Sequence, residues 1–138
     1  MKALSIHQPW AHAILHLGKN IENRTWFTRH RGPLLIHAGK NKSSYTAWNA
    51  KEWKENYDCE FPPLVDLTFS AIVGVVDVVD CVPAESLKAG TKWAGVEWCW
   101  ILANPVAFAT PVPFGGKLGL FIVPDDTPGI EQATAARH

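Results

Sequence analysis

The stretch Ile21-Glu22-Asn23-Arg24-Thr25-Trp26-Phe27-Thr28-Arg29-His30-Arg31-Gly32-Pro33-Leu34-Leu35-Ile36-His37-Ala38 decides the fold class. Ile21 to Phe27 alternates in character and ends in two aromatics, the period-2 pattern of a half-buried strand. Thr28 to Pro33 is a basic, turn-rich loop, punctuated by Gly32-Pro33. Leu34 to Ala38 then reads as a short buried strand. Two strands in succession with no helix between them break the strict alternation that a doubly wound parallel sheet requires.

Upstream, Lys2 to His7 is a first strand. Gln8-Pro9-Trp10 then opens a helix, because proline at the first helical position has the right φ and needs no donor. Ala11, Ile14 and Leu15 form its apolar stripe, and Gly18 sits where a left-handed C-terminal cap belongs. Downstream, Ser43 and Ser44 are N-cap candidates for a helix from Ser44 to about Asn56, with Ala47, Ala50, Trp53 and Tyr57 on one stripe. Phe61-Pro62-Pro63 breaks it. Valine-rich Ala71 to Val82 is a long strand with Gly74 as a candidate bulge. Gly95 to Leu102 and Leu118 to Val123 are two more, and the proline-rich stretch from Pro105 to Pro113 is expected to be irregular or edge-like. Asp125 to His138 is expected to be a surface tail. The order is strand, helix, two strands, helix, three strands. This predicts an α+β fold, a small mixed β-barrel with flanking helices, as one domain over residues 1–138.

Composition narrows the function classes. Apolar residues are 47% and charged residues 19%, which supports a buried core and excludes a disordered chain. No apolar run reaches about 18 residues, and Met1 to Ser5 is too short and polar for a signal peptide. The expectation is a cytoplasmic protein without a membrane span. Cys59, Cys81 and Cys99 make an odd count without a Cys-x-x-Cys pair, which suggests neither a disulfide framework nor a zinc ribbon. The formal net charge of zero hides a split: residues 1–42 hold seven Lys/Arg against one acid, and residues 43–138 hold six against twelve. That asymmetry reads as a basic face for an anionic ligand, the alternative being that opposite charges meet in the fold and cancel.

The densest polar cluster runs from Lys19 to Trp26. If Ile21 to Trp26 is extended, Glu22, Arg24 and Trp26 share one face and Ile21, Asn23 and Thr25 the other. Lys19, Glu22 and Arg24 then form a trio able to hold an anionic or hydrogen-bonding ligand, against the plainer reading of a surface ion pair. Glu22 beside Lys19 would keep the lysine charged. Along the strand from Gly95, Val96, Trp98, Trp100 and Leu102 share a face and read as core more readily than as a stacking ladder. Trp10 and Trp26, inside the polar motif, are better stacking candidates. His12 and His16 stand four apart on the first helix, a zinc-compatible spacing, but His-Glu-x-x-His is not completed and a solvated face is the better reading. Cys81 and Cys99 read as buried thiols. Gly115-Gly116-Lys117 leads into a strand and reads as a turn.

These residues carry a resemblance. Ala3-Leu4-Ser5-Ile6-x-Gln8-Pro9-Trp10-Ala11, then Lys19-x-x-Glu22-Asn23-Arg24-x-Trp26, resembles the ASCH domain, a branch of the PUA-like superfamily. The likeness continues through Gly32-x-Leu34-Leu35-Ile36-His37-Ala38-Gly39, Trp98-x-Trp100 and Pro111-x-Pro113. It closes with Gly116-x-Leu118-Gly119-Leu120-Phe121. One departure is that Leu17 stands where the family usually has its helix-ending glycine, with Gly18 adjoining Lys19.

The resemblance implies a PUA-like barrel with a cleft beside the first helix that takes RNA or a modified nucleoside; no cofactor is expected. Two hydrolase alternatives come with it. Some small members resemble amidohydrolases of N4-acylated cytidine that use a lysine, a threonine three residues on and a distant glutamate. Here Lys19 matches, Glu22 stands at the threonine position, and Glu85 and Glu97 are both possible for the glutamate. Other members have been proposed as metal-independent ribonucleases, for which Lys19, Lys40, His37 and Tyr45 form the plausible group. The expected site has Lys19 and Glu22 at its centre as candidate catalytic residues, with Arg24 beside them. Ser5 and Gln8 are expected on the floor, His37 and Lys40 on the far wall, and Trp10 and Trp26 as stacking surfaces, with no metal. A third reading is a protein-interaction module using the acidic second half.

Overall fold

The structure is a computed structural model describing residues 1–42, 45–87, 91–95 and 97–135. Its strands are β1 (Lys2–Ile6), β2 (Ile21–Arg24), β3 (Gly32–Ala38), β4 (Ala71–Pro83), β5 (Trp98–Pro113) and β6 (Leu120–Ile122). Its α-helices are α1 (Trp10–His16), α2 (Ala47–Tyr57) and α3 (Ile130–Ala135). The strands form one sheet in the order β2-β5-β4-β3-β1-β6. β1 and β3 pair in parallel and the other neighbours antiparallel. The sheet curls into half a barrel, the expected α+β, PUA-like architecture.

Alternation along the strands sorts the core into two faces. Leu4, Ile6, Leu34, Ile36, Val76, Val78, Trp100 and Leu102 pack with Ala11 and Ile14 of α1. Ala3, Leu35, Val75, Phe108, Val112 and Phe121 face the other way, against Ile130 of α3. A third cluster joins Tyr45, Phe61 and Trp93 to Trp53 and Tyr57 of α2 and to Trp10. Gly74 is a glycine because α1 passes over it. A Cβ there would lie 2.6 Å from both Leu15 Cδ2 and the Val106 carbonyl. The β4–β5 register shifts between Ile72 and Gly74, so the expected irregularity is present.

Several boundaries differ from expectation for local reasons. Pro9 is the N-cap of α1, not its first helical residue, and follows a cis Gln8–Pro9 bond. β2 stops at Arg24 instead of Phe27. Its partner β5 begins at Trp98, opposite Arg24, and Glu97 before it has φ +67°, which takes the chain out of the ladder. Thr46 is the N-cap of α2, in a capping box with Asn49; the candidate caps Ser43 and Ser44 lie outside the described residues.

The stretch from Pro105 to Pro113 belongs to β5. β2 covers only Trp98 to Ile101, so beyond Leu102 the outer edge has no strand neighbour and proline is tolerated there. Pro105 and Pro111 fall in register shifts against β4. The segment expected as a surface tail carries α3, and Ile130 is buried beneath it; residues 136–138 lie outside the description. Cys81 and Cys99 are buried and Cys59 half-buried, all three free. Among the described residues no helix is long and apolar enough to cross a membrane.

Candidate functional site

The α1–β2 turn places the central trio. Gly18 takes φ +74°, which lets the Lys19 amide return to the Ala13 carbonyl (3.1 Å) and swings the lysine beneath the end of the helix. Lys19 is 5% exposed, and its Nζ donates to the Ile21 carbonyl and lies 3.4 Å from Glu22 Oε1. Glu22 and Arg24 stand two apart on β2, opposite Trp100 and Trp98, and so share the α1 side of the sheet. Arg24 Nε and Nη2 grip Glu22 Oε2 at 2.9 and 2.8 Å, and Nη2 also donates to the Ser5 carbonyl at 2.8 Å. Arg24 thus ties β2 to β1 across the open side of the half-barrel.

Burial dominates the electrostatics of Lys19. Desolvation lowers its pKa from the ordinary 10.5. The Glu22 carboxylate opposes this through its charge and hydrogen bond, whereas Arg24 reinforces it. Glu22 thus acts in the expected direction, favouring the charged lysine, but the loss of water is the larger effect and the net shift is downward.

Above the trio lies a cavity of about 460 Å³. Lys19, Glu22 and Arg24 line it together with Trp10, Trp26, Tyr57 and Trp93. Tyr57 and Trp93 are stacked at 4.9 Å with Trp10 edge-on to Tyr57, while Trp26 stands edge-on to buried Trp100. Asn23, pointing the other way as its parity requires, fastens the Trp93 wall. Its Nδ2 donates to the Trp93 carbonyl (3.0 Å), and its Oδ1 accepts from the Gly95 amide (2.7 Å) and Cys99 Sγ (3.5 Å). Lys92 Nζ, over the Trp93 ring, donates to the Tyr57 carbonyl.

Of the expected site residues, Lys19, Glu22, Arg24, Trp10 and Trp26 come together in this cleft. Ser5 contributes to its lining, but its hydroxyl turns to the opposite face, 2.8 Å from His37 Nδ1. His37 is not on the far wall. It is buried on the α3 side, beside Phe121, with Nε2 donating to the Phe114 carbonyl. Strand parity is the reason: Ser5 and His37 are register partners, one step out of phase with Ile6 and Ile36.

Gln8 is not on the floor either. Its Oε1 accepts from the His12 amide and its Nε2 donates to the Thr68 carbonyl, so its amide is used in capping α1 and holding the 68–70 segment. Lys40 is exposed on the loop after β3 and does not line the cavity. His7, Tyr57 and Trp93 line it without having been singled out. Tyr57 belonged to the predicted helix stripe, but nothing local connects Trp93 to the motif.

Trp98 and Trp100 pack with the core, as their apolar neighbours suggested. The His12 and His16 rings stand 4.6 Å apart, and no group of three His, Cys, Asp or Glu among the described residues forms a metal site. Tyr45 Oη donates to the Pro62 carbonyl, within the α2 cluster.

A sequence model of the ASCH domain family matches residues 4–112, covering the trio, the three tryptophans of the cavity and most of the sheet. The chain belongs to the ASCH domain family. This ASCH domain is 36% identical over 124 residues to human activating signal cointegrator 1 and 31% identical over 125 residues to the mouse protein. Each match covers 83% of this chain but 21% of the relative, so the chain spans about a fifth of their length. The crystal structure of ASCH from Zymomonas mobilis superposes with TM-score 0.53 over 98% of this chain and 93% of that one, at 13% identity. That likeness establishes the ASCH, PUA-like fold.

Proposed function

We propose that the cleft binds a nucleobase-bearing ligand, RNA or a modified nucleoside. The observation that carries this reading is a network of buried Lys19 and Glu22 with half-buried Arg24 at the base of an aromatic-walled cavity of about 460 Å³. That volume lies in the range of small-molecule sites. Tryptophan walls offer stacking surfaces for a base, and Glu22 Oε1, which faces only the Lys19 ammonium, retains accepting capacity for an exocyclic amine. A fixed carboxylate–guanidinium pair presents an oriented donor–acceptor edge, and such buried pairs are poor devices for stability alone. Family membership supports the same ligand class.

The test is titration of cytidine, N4-acetylcytidine and a short single-stranded RNA, followed by tryptophan fluorescence, for the parent protein and Arg24→Ala. Loss of one charged hydrogen-bonding group predicts at least about tenfold weaker binding in the variant. Equal affinity in the two proteins overturns the reading.

The burial of Lys19 favours a second reading, hydrolysis of the same ligand class. A lysine with a lowered pKa supplies a neutral amine more readily as base or nucleophile. Incubation of N4-acetylcytidine and RNA in EDTA, beside Lys19→Met, separates the two readings. Product from the parent alone makes the cleft catalytic, and no product with retained binding leaves recognition.

A further inference from the structure

We propose that the cleft's ligand is a single-stranded nucleic acid whose flanking phosphates cross the loop of residues 39–42, held there by Lys40 and Lys42. This rests on the reading of the cleft as a nucleobase site and adds to it a second, phosphate-binding surface.

Position comes first. β1 ends at Ile6, and His7, the next residue, lines the cleft. The Gly39 amide donates to the Ile6 carbonyl at 3.1 Å, and a Cβ on Gly39 would lie 3.9 Å from His7 Nδ1. The loop leaving β3 therefore starts against the rim of the cavity.

Charge then gives this rim a direction. Lys40 and Lys42 are both exposed, and among the described residues neither forms an ion pair, whereas Lys54 pairs with Glu60 and Arg31 with Asp80. The Lys42 ammonium stands 5.0 Å over the Phe69 ring, a contact that restrains a long side chain at the surface. On the Trp93 wall the Lys92 ammonium is taken up by the Tyr57 carbonyl, and past it the surface turns acidic. The depression beside Trp98 is lined by Glu85 and Glu97, both exposed. A polyanion leaving the cleft is repelled there and attracted over His7 toward the lysines. A free nucleoside gains nothing from such a surface, whereas each phosphate of a strand does.

The experiment compares cytidine monophosphate with single-stranded cytidine octamers, ribo and deoxy, across a salt series. The proteins are the parent, the Lys40→Ala/Lys42→Ala double variant, Arg24→Ala, and Lys54→Ala as a control for lysine removal elsewhere. The double variant is expected to bind both octamers about tenfold more weakly at low salt, with the log–log salt slope reduced by about 1.4 for two lost phosphate contacts. Its affinity for the monophosphate stays at the parent value, and Lys54→Ala changes neither. Octamer binding that depends on Arg24 but not on Lys40 and Lys42 overturns this proposal and leaves the cleft reading intact. Failure of the parent to bind either ligand, or indifference of both to Arg24→Ala, overturns the cleft reading and this one with it. Equal lysine-dependent binding of an octaglutamate peptide shows a general acidic-ligand surface and also overturns it.

Discussion

Lys19 is held at a cost that its partners only partly offset. Its folded pKa lies below the ordinary 10.5, chiefly because burial disfavours the ammonium. Between the folded value and 10.5 the unfolded chain holds the proton more firmly than the folded one, so the stability contributed by this group rises with pH across that window. The stability of the parent relative to Lys19→Met should therefore climb between the folded value and 10.5 and level off above it, as measured by urea unfolding at a series of pH values. A flat difference would show that Lys19 is solvated.

Asn23 makes the complementary case, a polar side chain that secures a wall. Asn23→Ala strands the Trp93 carbonyl and the Gly95 amide and should cost about 1–3 kcal/mol in chemical denaturation. Asn23→Asp keeps the acceptor and should cost less. At this scale the sequence was legible wherever period-2 alternation governs: Glu22 and Arg24 face together and Asn23 faces away. It misled at His37, because the strand's phase relative to β1 depends on a long-range pairing of Ser5 with His37. Trp93 was illegible for the same reason, since it reaches the cleft through bonds to a residue 70 positions earlier.

Elements respond to what they pack against. Gly74→Ala in β4 drives a methyl into Leu15 of α1 and into the Val106 carbonyl of β5, and the backbone oxygen has little room to retreat. A loss of about 1–3 kcal/mol is expected from overpacking, read as a lowered urea midpoint at unchanged m-value. Thr46→Ala removes one half of the α2 capping box and should cost about 1 kcal/mol by the same measurement. The existence of the β-strands and of the first two helices was readable from periodicity and punctuation. The extent of β5 was not. Proline normally argues against a strand interior, and only the sheet order, which leaves that edge without a neighbour, permits it. The docking of α3 was equally hidden, because the six-residue helix is anchored chiefly through one buried isoleucine.

Across the whole molecule, the charge split between residues 1–42 and the remainder largely survives folding. Among the described ion pairs only Arg31–Asp80 and the amino terminus with Asp125 join the two parts, and both are exposed. Exposed pairs of this kind contribute about 0–1 kcal/mol. Raising salt from about 0.05 to 0.5 M should therefore barely move the unfolding midpoint, yet weaken nucleic-acid binding steeply. Parallel salt series of thermal unfolding and octamer binding check this, and a matched response in both would refute it.

The prolines of β5 have a bearing on life in a concentrated solution. A sixteen-residue strand whose outer margin has no strand neighbour beyond Leu102 is a template for pairing with other chains. Pro105, Pro111 and Pro113 remove three donors from that margin, and two of them coincide with kinks. Replacing Pro105 and Pro111 by threonine should leave the native pairing with β4 in place while offering a more regular row of amides to neighbours. The expected signature is faster light-scattering growth on mild heating, and an unchanged rate would show that these prolines do not limit self-association.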